Sequence, residues 1–280
     1  MAGVETTVVV VSDSHLSALT PDALVNWDVV VGYIDDFEPD LVIHLGDLTA
    51  DASHDPVELV AAREQLDRLT VPWRAIPGNH DIGDNPRRGM PGDATVNPDR
   101  LAHWRETIGH DWWSCEIGAW TLLAVDAQLF GSGLEAERAQ WIWLAQQVAQ
   151  VPHDRPVGLL THKPLTAPED ELAAAPPDRF VPTVARRRIE ALASGSTVPL
   201  VLSGHIHQFR ILDLDDRRHV WAPTTWAVLP DSVQRAIGAK RCGVVSLSLP
   251  VSGHADISLV EPPGISQLTV TREVPNPYSD

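Results

Sequence analysis

From residue 4 to residue 76 the chain alternates short β-branched runs with longer amphipathic segments, the rhythm of βαβ units laid on a mainly parallel sheet. Residues 4–12 read as a first strand, 21–36 as a helix and 41–45 as a second strand. Residues 56–69 read as a helix with Asp55 as N-cap and Pro56 in its first turn, and 73–76 as a third strand. The Gly/Pro/Asp-rich stretch 77–97 is longer than most connections and is expected to be a functional loop, after which Asn97-Pro98 opens another helix. Residues 113–117 and 120–125 flank Gly118-Ala119 as a hairpin, and 134–150 form a helix. Residues 157–161 and 198–203 are buried strands on either side of an irregular segment, 163–182. After His207 the chain turns mostly β, pairing 209–214 with 219–222 and 244–249 with 255–260. No repeat or composition break marks a linker, so one domain over residues 1–261 is expected, followed by a loose, Pro-rich tail, 262–280.

Five of these strands end on residues with metal-ligand chemistry: Asp13 and His15 in Ser-Asp-Ser-His, Asp47 in Gly-Asp-Leu, Asn79 and His80 in Gly-Asn-His-Asp, His162 in Thr-His-Lys-Pro, and His205 and His207 in Gly-His-Ile-His. Carboxyl ends of neighbouring strands in an open α/β sheet share one crevice, so these scattered residues are expected to converge there. Carboxylates, an amide oxygen and imidazoles without a thiolate suit Mn, Fe, Co or Zn. Asp13, His15, Asp47, Asn79, His162, His205 and His207 overfill a single site, whereas two ions sharing Asp47 would receive four protein ligands each. Such a pair clamps the attacking and leaving oxygens of phosphoryl transfer.

The order of these motifs, Asp13-x-His15, Gly46-Asp47, Gly78-Asn79-His80-Asp81, His162 and Gly204-His205-x-His207, resembles the calcineurin-like metallophosphoesterase superfamily over residues 6 to about 225. The resemblance implies a four-layer α/β/β/α sandwich with two mixed sheets and a dinuclear site at the strand ends. It implies one ion on Asp13, His15, Asp47 and His207, a second on Asp47, Asn79, His162 and His205, and His80 over the substrate as a catalytic group with Asn79. Gly46-Asp47-Leu48-Thr49 and Ala222-Pro223-Thr224-Thr225 are similar to bacterial cyclic-nucleotide phosphodiesterases. Many relatives carry an Asp three residues after the shared Asp to orient the catalytic histidine. Here that residue is Ala50, followed by Asp51. Either Asp51 swings in or another group orients His80.

The implied activity is hydrolysis of a small phosphate ester by a hydroxide bridging the two ions, on a 3′,5′-cyclic nucleotide or other diester. A phosphomonoester or phosphoprotein is the alternative. A non-catalytic scaffold is disfavoured because the chain keeps the whole set, and there is no Gly-x-Ser-x-Gly elbow or Gly-x-x-x-x-Gly-Lys loop. A formal charge of −17, from 21 Lys+Arg against 38 Asp+Glu, argues against nucleic-acid and anionic-membrane partners. A phosphate substrate then needs bound cations. The apolar run 8–11 is too short for a membrane span and lacks a basic lead, and Cys115 and Cys242 stand in no metal or disulfide spacing, so a cytoplasmic protein is expected. His44 reads as a packed strand histidine, and Arg87-Arg88 as a solvated loop pair with substrate contact as the alternative.

Overall fold

The structure is a computed structural model that describes residues 6–194, 198–251 and 253–270. The chain enters through β1 (Thr6–Val11), returns by α1 (Pro21–Phe37) to β2 (Leu41–His44), and by α2 (Val57–Leu66) to β3 (Trp73–Ala75). The short α3 (Asn79–Ile82) and α4 (Pro98–Thr107) lead to the hairpin β4 (Trp113–Ile117) and β5 (Trp120–Val125), and α5 (Glu135–Gln150) leads to β6 (Val157–Thr161). Then come α6 (Glu169–Ala174), α7 (Thr183–Ala193), β7 (Leu200–Ser203), and the hairpin β8 (Arg210–Leu214) and β9 (Arg217–Trp221). The chain closes with β10 (Ala227–Val228), β11 (Val244–Leu249), β12 (Asp256–Val260) and β13 (Leu268–Thr269).

Two mixed sheets form, ordered β12-β11-β1-β2-β3 and β4-β5-β6-β7-β9-β8, with β1-β2-β3 parallel in the first and β5-β6-β7-β9 parallel in the second. The unbroken valines of β1 explain the layering. Successive side chains on a strand point to opposite faces. Val8 and Val10 therefore meet Ile43, Leu122, Leu160 and Leu202 between the sheets, while Val9 and Val11 meet Trp27, Val30 and Ile34 of α1 and Leu59 of α2. The outer face of the second sheet, with Val125 and Leu159, is covered by Trp141 and Leu144 of α5 and Ile189 of α7. A strand buried on both faces shows no polar alternation, and the product is the four-layer α/β/β/α sandwich.

The expected cap of α4 is present: the Asn97 side chain accepts from Arg100 N at 3.0 Å. The expected Asp55 cap is not: α2 begins at Val57 with Pro56 as its N-cap and no side-chain cap, so it is shorter than 56–69, and Asp55 Oδ1 accepts from Val57 N at 3.2 Å from one residue further out. Three further expectations change. The 77–97 loop contains α3 and a single 3-10 turn at Gly92–Ala94, and the 163–182 segment contains α6. The stretch after Glu261 is anchored, not loose, as far as it is described: β13 pairs in parallel with β10, and Ser266 N donates to Asn26 Oδ1 at 2.9 Å. Residues 4–5 of the first expected strand and 271–280 of the tail lie outside the described residues.

Candidate dinuclear metal centre

The loops that follow β1, β2, β3, β6 and β7 meet at one end of the two sheets, and backbone pairing between them sets the site. Asp13 N donates to Gly46 O at 3.0 Å, His15 N to Asp47 O at 3.1 Å and Leu16 N to Leu48 O at 2.7 Å, so the first two loops zip together. Asp81 clamps the second loop to the third: its carboxylate accepts from Thr49 N at 2.9 Å, Thr49 Oγ1 at 2.8 Å and Gly78 N at 2.9 Å. Close approach explains the glycines ahead of the candidate ligands. A Cβ on Gly78 would lie 2.2 Å from Asp47 Oδ1, and one on Gly204 would lie 1.9 Å from Ser12 Oγ. Asp13 (φ 52°), His15 (46°), Asp47 (51°), His205 (68°) and His207 (56°) all sit in the left-handed region. Non-glycine residues persist there only where the surroundings over-determine them, and such positions gather at functional sites.

All eight residues singled out in the sequence lie within this crevice. Ligand-type atoms of Asp13, His15 and His207 lie within 4.8 Å of one another, as do those of Asp47, His162 and His205 and those of His15, Asp47 and His80. Asn79 Oδ1 stands 3.2 Å from His162 Nε2. Each of four histidines is oriented by a backbone carbonyl. His162 Nδ1 donates to Leu45 O at 2.8 Å, His207 Nδ1 to Ala227 O at 2.7 Å, His205 Nε2 to Asp178 O at 3.1 Å and His80 Nδ1 to Ala50 O at 2.7 Å. These bonds commit Nδ1 of His162 and His207 as donors, so that Nε2 is the atom each ring offers to the site: a lone pair when the ring is neutral, a donor when it is protonated. His162 Nε2 faces Asp47 Oδ2 at 3.2 Å, and His207 Nε2 faces His15 Nε2 at 3.2 Å and Asp13 Oδ1 at 3.4 Å. Carboxylates and imidazoles buried this closely together need positive charge among them, from protons on the rings or from metal ions that take the protons' place. An oxygen and imidazole set without sulfur fits hard to borderline metals.

The electrostatics agree. Burial opposes ionisation of Asp13 and Asp47, yet the neighbouring His207 and His162 respectively hold both carboxyls below the usual range. His162 is pushed up to about 9: burial opposes its charge, but Asp47 outweighs it. His207 is also raised, with burial outweighed by Asp13. Burial, with His80 and His162 charge respectively, lowers His15 and takes His205 down to about 3, so both rings are neutral donors at pH 7.

Several side chains that serve the site carried no signal in the sequence. His44, read as a packed histidine, is wired: its Nδ1 accepts from Gly46 N at 3.2 Å, so Nε2 donates to Ser14 Oγ at 2.8 Å. Thr224 Oγ1 donates to Asp13 O at 2.7 Å. Arg87 is not a solvated cation; it donates to Asp84 Oδ2 at 2.6 Å, while Arg88 is exposed. Asp51 does not swing toward His80 but turns to His54 Nδ1 at 2.6 Å.

Residues 6–209 match the profile described as calcineurin-like phosphoesterase. The 3′,5′-cyclic adenosine monophosphate phosphodiesterase CpdA of Escherichia coli (strain K12) is 29% identical over 224 residues, covering 77% of this chain and 74% of that one. A probable glycerophosphodiester phosphodiesterase, GpdQ of Arcobacter nitrofigilis, is 29% identical over 168 residues, 56% of each chain. Among solved structures, GAP50, the anchor in the inner membrane complex of Plasmodium, superposes with a TM-score of 0.63 at 12% identity, over 97% of this chain and 95% of that one, a likeness of fold alone. No helix among the described residues is long and apolar enough to cross a membrane. With a profile match over most of its length and phosphodiesterases among its relatives, the chain is a metal-dependent phosphoric ester hydrolase and belongs to the calcineurin-like phosphoesterase family.

Proposed function

We propose that this chain hydrolyses a small phosphodiester, a 3′,5′-cyclic nucleotide or a glycerophosphodiester, with two ions drawn from Mn, Fe, Co and Zn. Asp13, His15, Asp47 and His207 would hold one ion, and Asp47, Asn79, His162 and His205 the other. Bound there, the ions supply positive charge to the phosphoryl oxygens and acidify a water to serve as nucleophile. The observation that carries the reading is the convergence of buried ligand atoms, His162 Nε2 on Asp47 Oδ2 and His207 Nε2 on His15 Nε2, each at 3.2 Å. The preference for a diester is supported by the two relatives, whose names specify diesters. A small substrate is supported by the net charge of −17, which repels polyanions.

The proton is the protein's own task. With Nδ1 committed to Ala50 O at 2.7 Å, a protonated His80 ring presents Nε2–H as donor to the leaving oxygen. The backbone of His80 is fixed as well: its N–H donates to Asp47 Oδ1 at 2.9 Å, and its carbonyl accepts from Ser53 N at 3.0 Å. Asn79 opens α3 just ahead of it and faces the charge that develops on the phosphoryl group. The test is a panel at matched metal content: 3′,5′-cyclic AMP, glycerophosphoethanolamine, bis(p-nitrophenyl) phosphate and p-nitrophenyl phosphate. Diesters are expected to exceed the monoester in kcat/KM by at least about tenfold, roughly 1.4 kcal/mol of transition-state preference. A monoester that matches or exceeds every diester places the chain among the phosphomonoesterases instead.

A further inference from the structure

Where many family members would carry a carboxylate beside the catalytic histidine, this chain has Ala50, and His80 Nδ1 is held by the Ala50 carbonyl at 2.7 Å. That carbonyl shares a peptide unit with the Asp51 N–H, and peptide planarity fixes the two groups on opposite edges of one rigid plate. The Asp51 N–H donates to Glu58 Oε2 at 2.7 Å, and Glu58 Oε1 accepts from Ser17 Oγ. Glu58, in the first turn of α2, thus grips the far edge of the plate whose near edge orients the histidine, and ties it to the loop that carries Asp13 and His15.

We propose that Glu58 is a positioning residue for His80, acting through the Ala50–Asp51 peptide in the sequence carboxylate, N–H, C=O, Nδ1–H. The proposal rests on the reading that His80 acts on the leaving group. Hydrogen bonds on the two edges of a peptide polarise one another, so the carboxylate strengthens the carbonyl as an acceptor as well as aiming it. Without this grip the plate can rotate about its flanking bonds and turn the carbonyl away. The backbone of His80 keeps its own anchors on Asp47 and Ser53, so only the ring's aim is affected. A carboxylate absent at position 50 is supplied from position 58, one peptide further away.

The competing view is that Glu58 serves only as an acid in the first turn of a helix, where a negative charge is favoured by the helix dipole. Two substitutions separate the views. Glu58→Asp keeps the first-turn charge but withdraws its oxygens by one methylene, whereas Glu58→Gln gives up the charge but keeps an oxygen within reach of the Asp51 N–H. Each is made in the parent and in His80→Ala. Turnover is measured on bis(p-nitrophenyl) phosphate and on whichever of 3′,5′-cyclic AMP and glycerophosphoethanolamine, both with alkoxide leaving groups, is hydrolysed. Metal content and thermal midpoint are followed in parallel. The expected result is a kcat about tenfold lower for Glu58→Asp on the alkoxide substrate, the scale of one hydrogen bond. Its KM and metal content are expected at parent values, with a smaller loss on the aryl ester, and Glu58→Gln within about threefold of the parent. In the His80→Ala background neither change is expected to slow turnover further. Losses that add in the double variant, a Gln variant slower than the Asp variant, or rates that track metal loss each overturn the relay. If His80→Ala slows turnover and Glu58→Asp does not, the relay fails while the role of His80 stands. If His80→Ala turns over at the parent rate, both fail.

Discussion

Lys163 follows the candidate ligand His162 and is 1% exposed, a burial that a lysine tolerates only when paired. Its ammonium meets the Asp84 carboxylate and Asn85 Oδ1, the latter at 2.8 Å, and Arg87 reaches the other Asp84 oxygen at 2.6 Å. Burial opposes ionisation of Asp84, but Lys163 and Arg87 hold its carboxyl below the usual range. A lowered carboxyl contributes stability that is present above its unfolded pKa of about 4 and is lost as pH falls through the folded value. Lys163→Met is therefore expected to cost about 3 kcal/mol in urea unfolding at pH 7, since breaking a buried pair strands a charge. The gap to the parent should narrow below about pH 4. An equal gap at both pH values would assign the loss to packing of the lysine stem. The sequence marked His162 because an imidazole announces its chemistry, and passed over Lys163 because nothing in Thr-His-Lys-Pro says which way the lysine points. The same limit hides what orients the histidines. Leu45, Ala50, Asp178 and Ala227 serve through backbone carbonyls, which every residue type has, so no amino-acid identity records the role.

At the scale of elements, the βαβ order of the first half was legible because β1 and β2 are β-branched runs and the helix starts are marked by Pro21, Pro56 and Asn97-Pro98. Which sheet each strand joins was not, since that follows from long-range pairing such as β1 with β11, and the layered arrangement came from the resemblance. The strands β10 and β13, two residues each, are too short to show periodicity, yet they bear on the site. His207 Nδ1 donates to the carbonyl of Ala227 in β10, and Ala227 pairs with Leu268 of β13. Asn26 is fully buried, and its side chain donates to Ser266 O at 3.0 Å and accepts from Ser266 N at 2.9 Å. Gln267 exchanges two bonds with the backbone of Cys242, at 2.8 and 2.9 Å. Removing residues 262–280 leaves these buried groups short of partners, at a cost of about 2 kcal/mol or more, and frees the strand that aims His207. A truncated chain should melt several degrees lower and retain less metal at the site proposed to include His207. Unchanged melting and metal content would make the segment a mere appendage.

At the scale of the whole molecule, two sheets bring Asp13, Asp47 and four histidines into one buried end of an acidic protein, and something positive must balance the carboxylates there. In protein stripped by a chelator, the proton on His162 plays that part, its pKa raised from 6.5 to about 9 chiefly by Asp47 against the opposing effect of burial. A raised histidine stabilises the fold fully below its unfolded pKa, about 6.5, and that contribution is lost as pH rises through about 9. On the proposed assignment, with ions on Asp13, His15, Asp47, His207 and on Asp47, Asn79, His162, His205, His162 would serve as a bare nitrogen, so binding would expel its proton. Two consequences follow together. Calorimetric titration of Mn into chelator-stripped protein, in buffers of different ionisation enthalpy, should show close to one proton released from His162 at pH 7 and none well above pH 9. The difference in thermal midpoint between Mn-loaded and stripped protein should widen as pH is raised from 6.5 toward 9, because only the stripped form loses its internal counter-charge. His207, raised in the same direction by Asp13, adds to the effect. A midpoint difference that is flat over this range, with no proton release, would mean that His162 is already neutral without metal and that the carboxylates are balanced elsewhere.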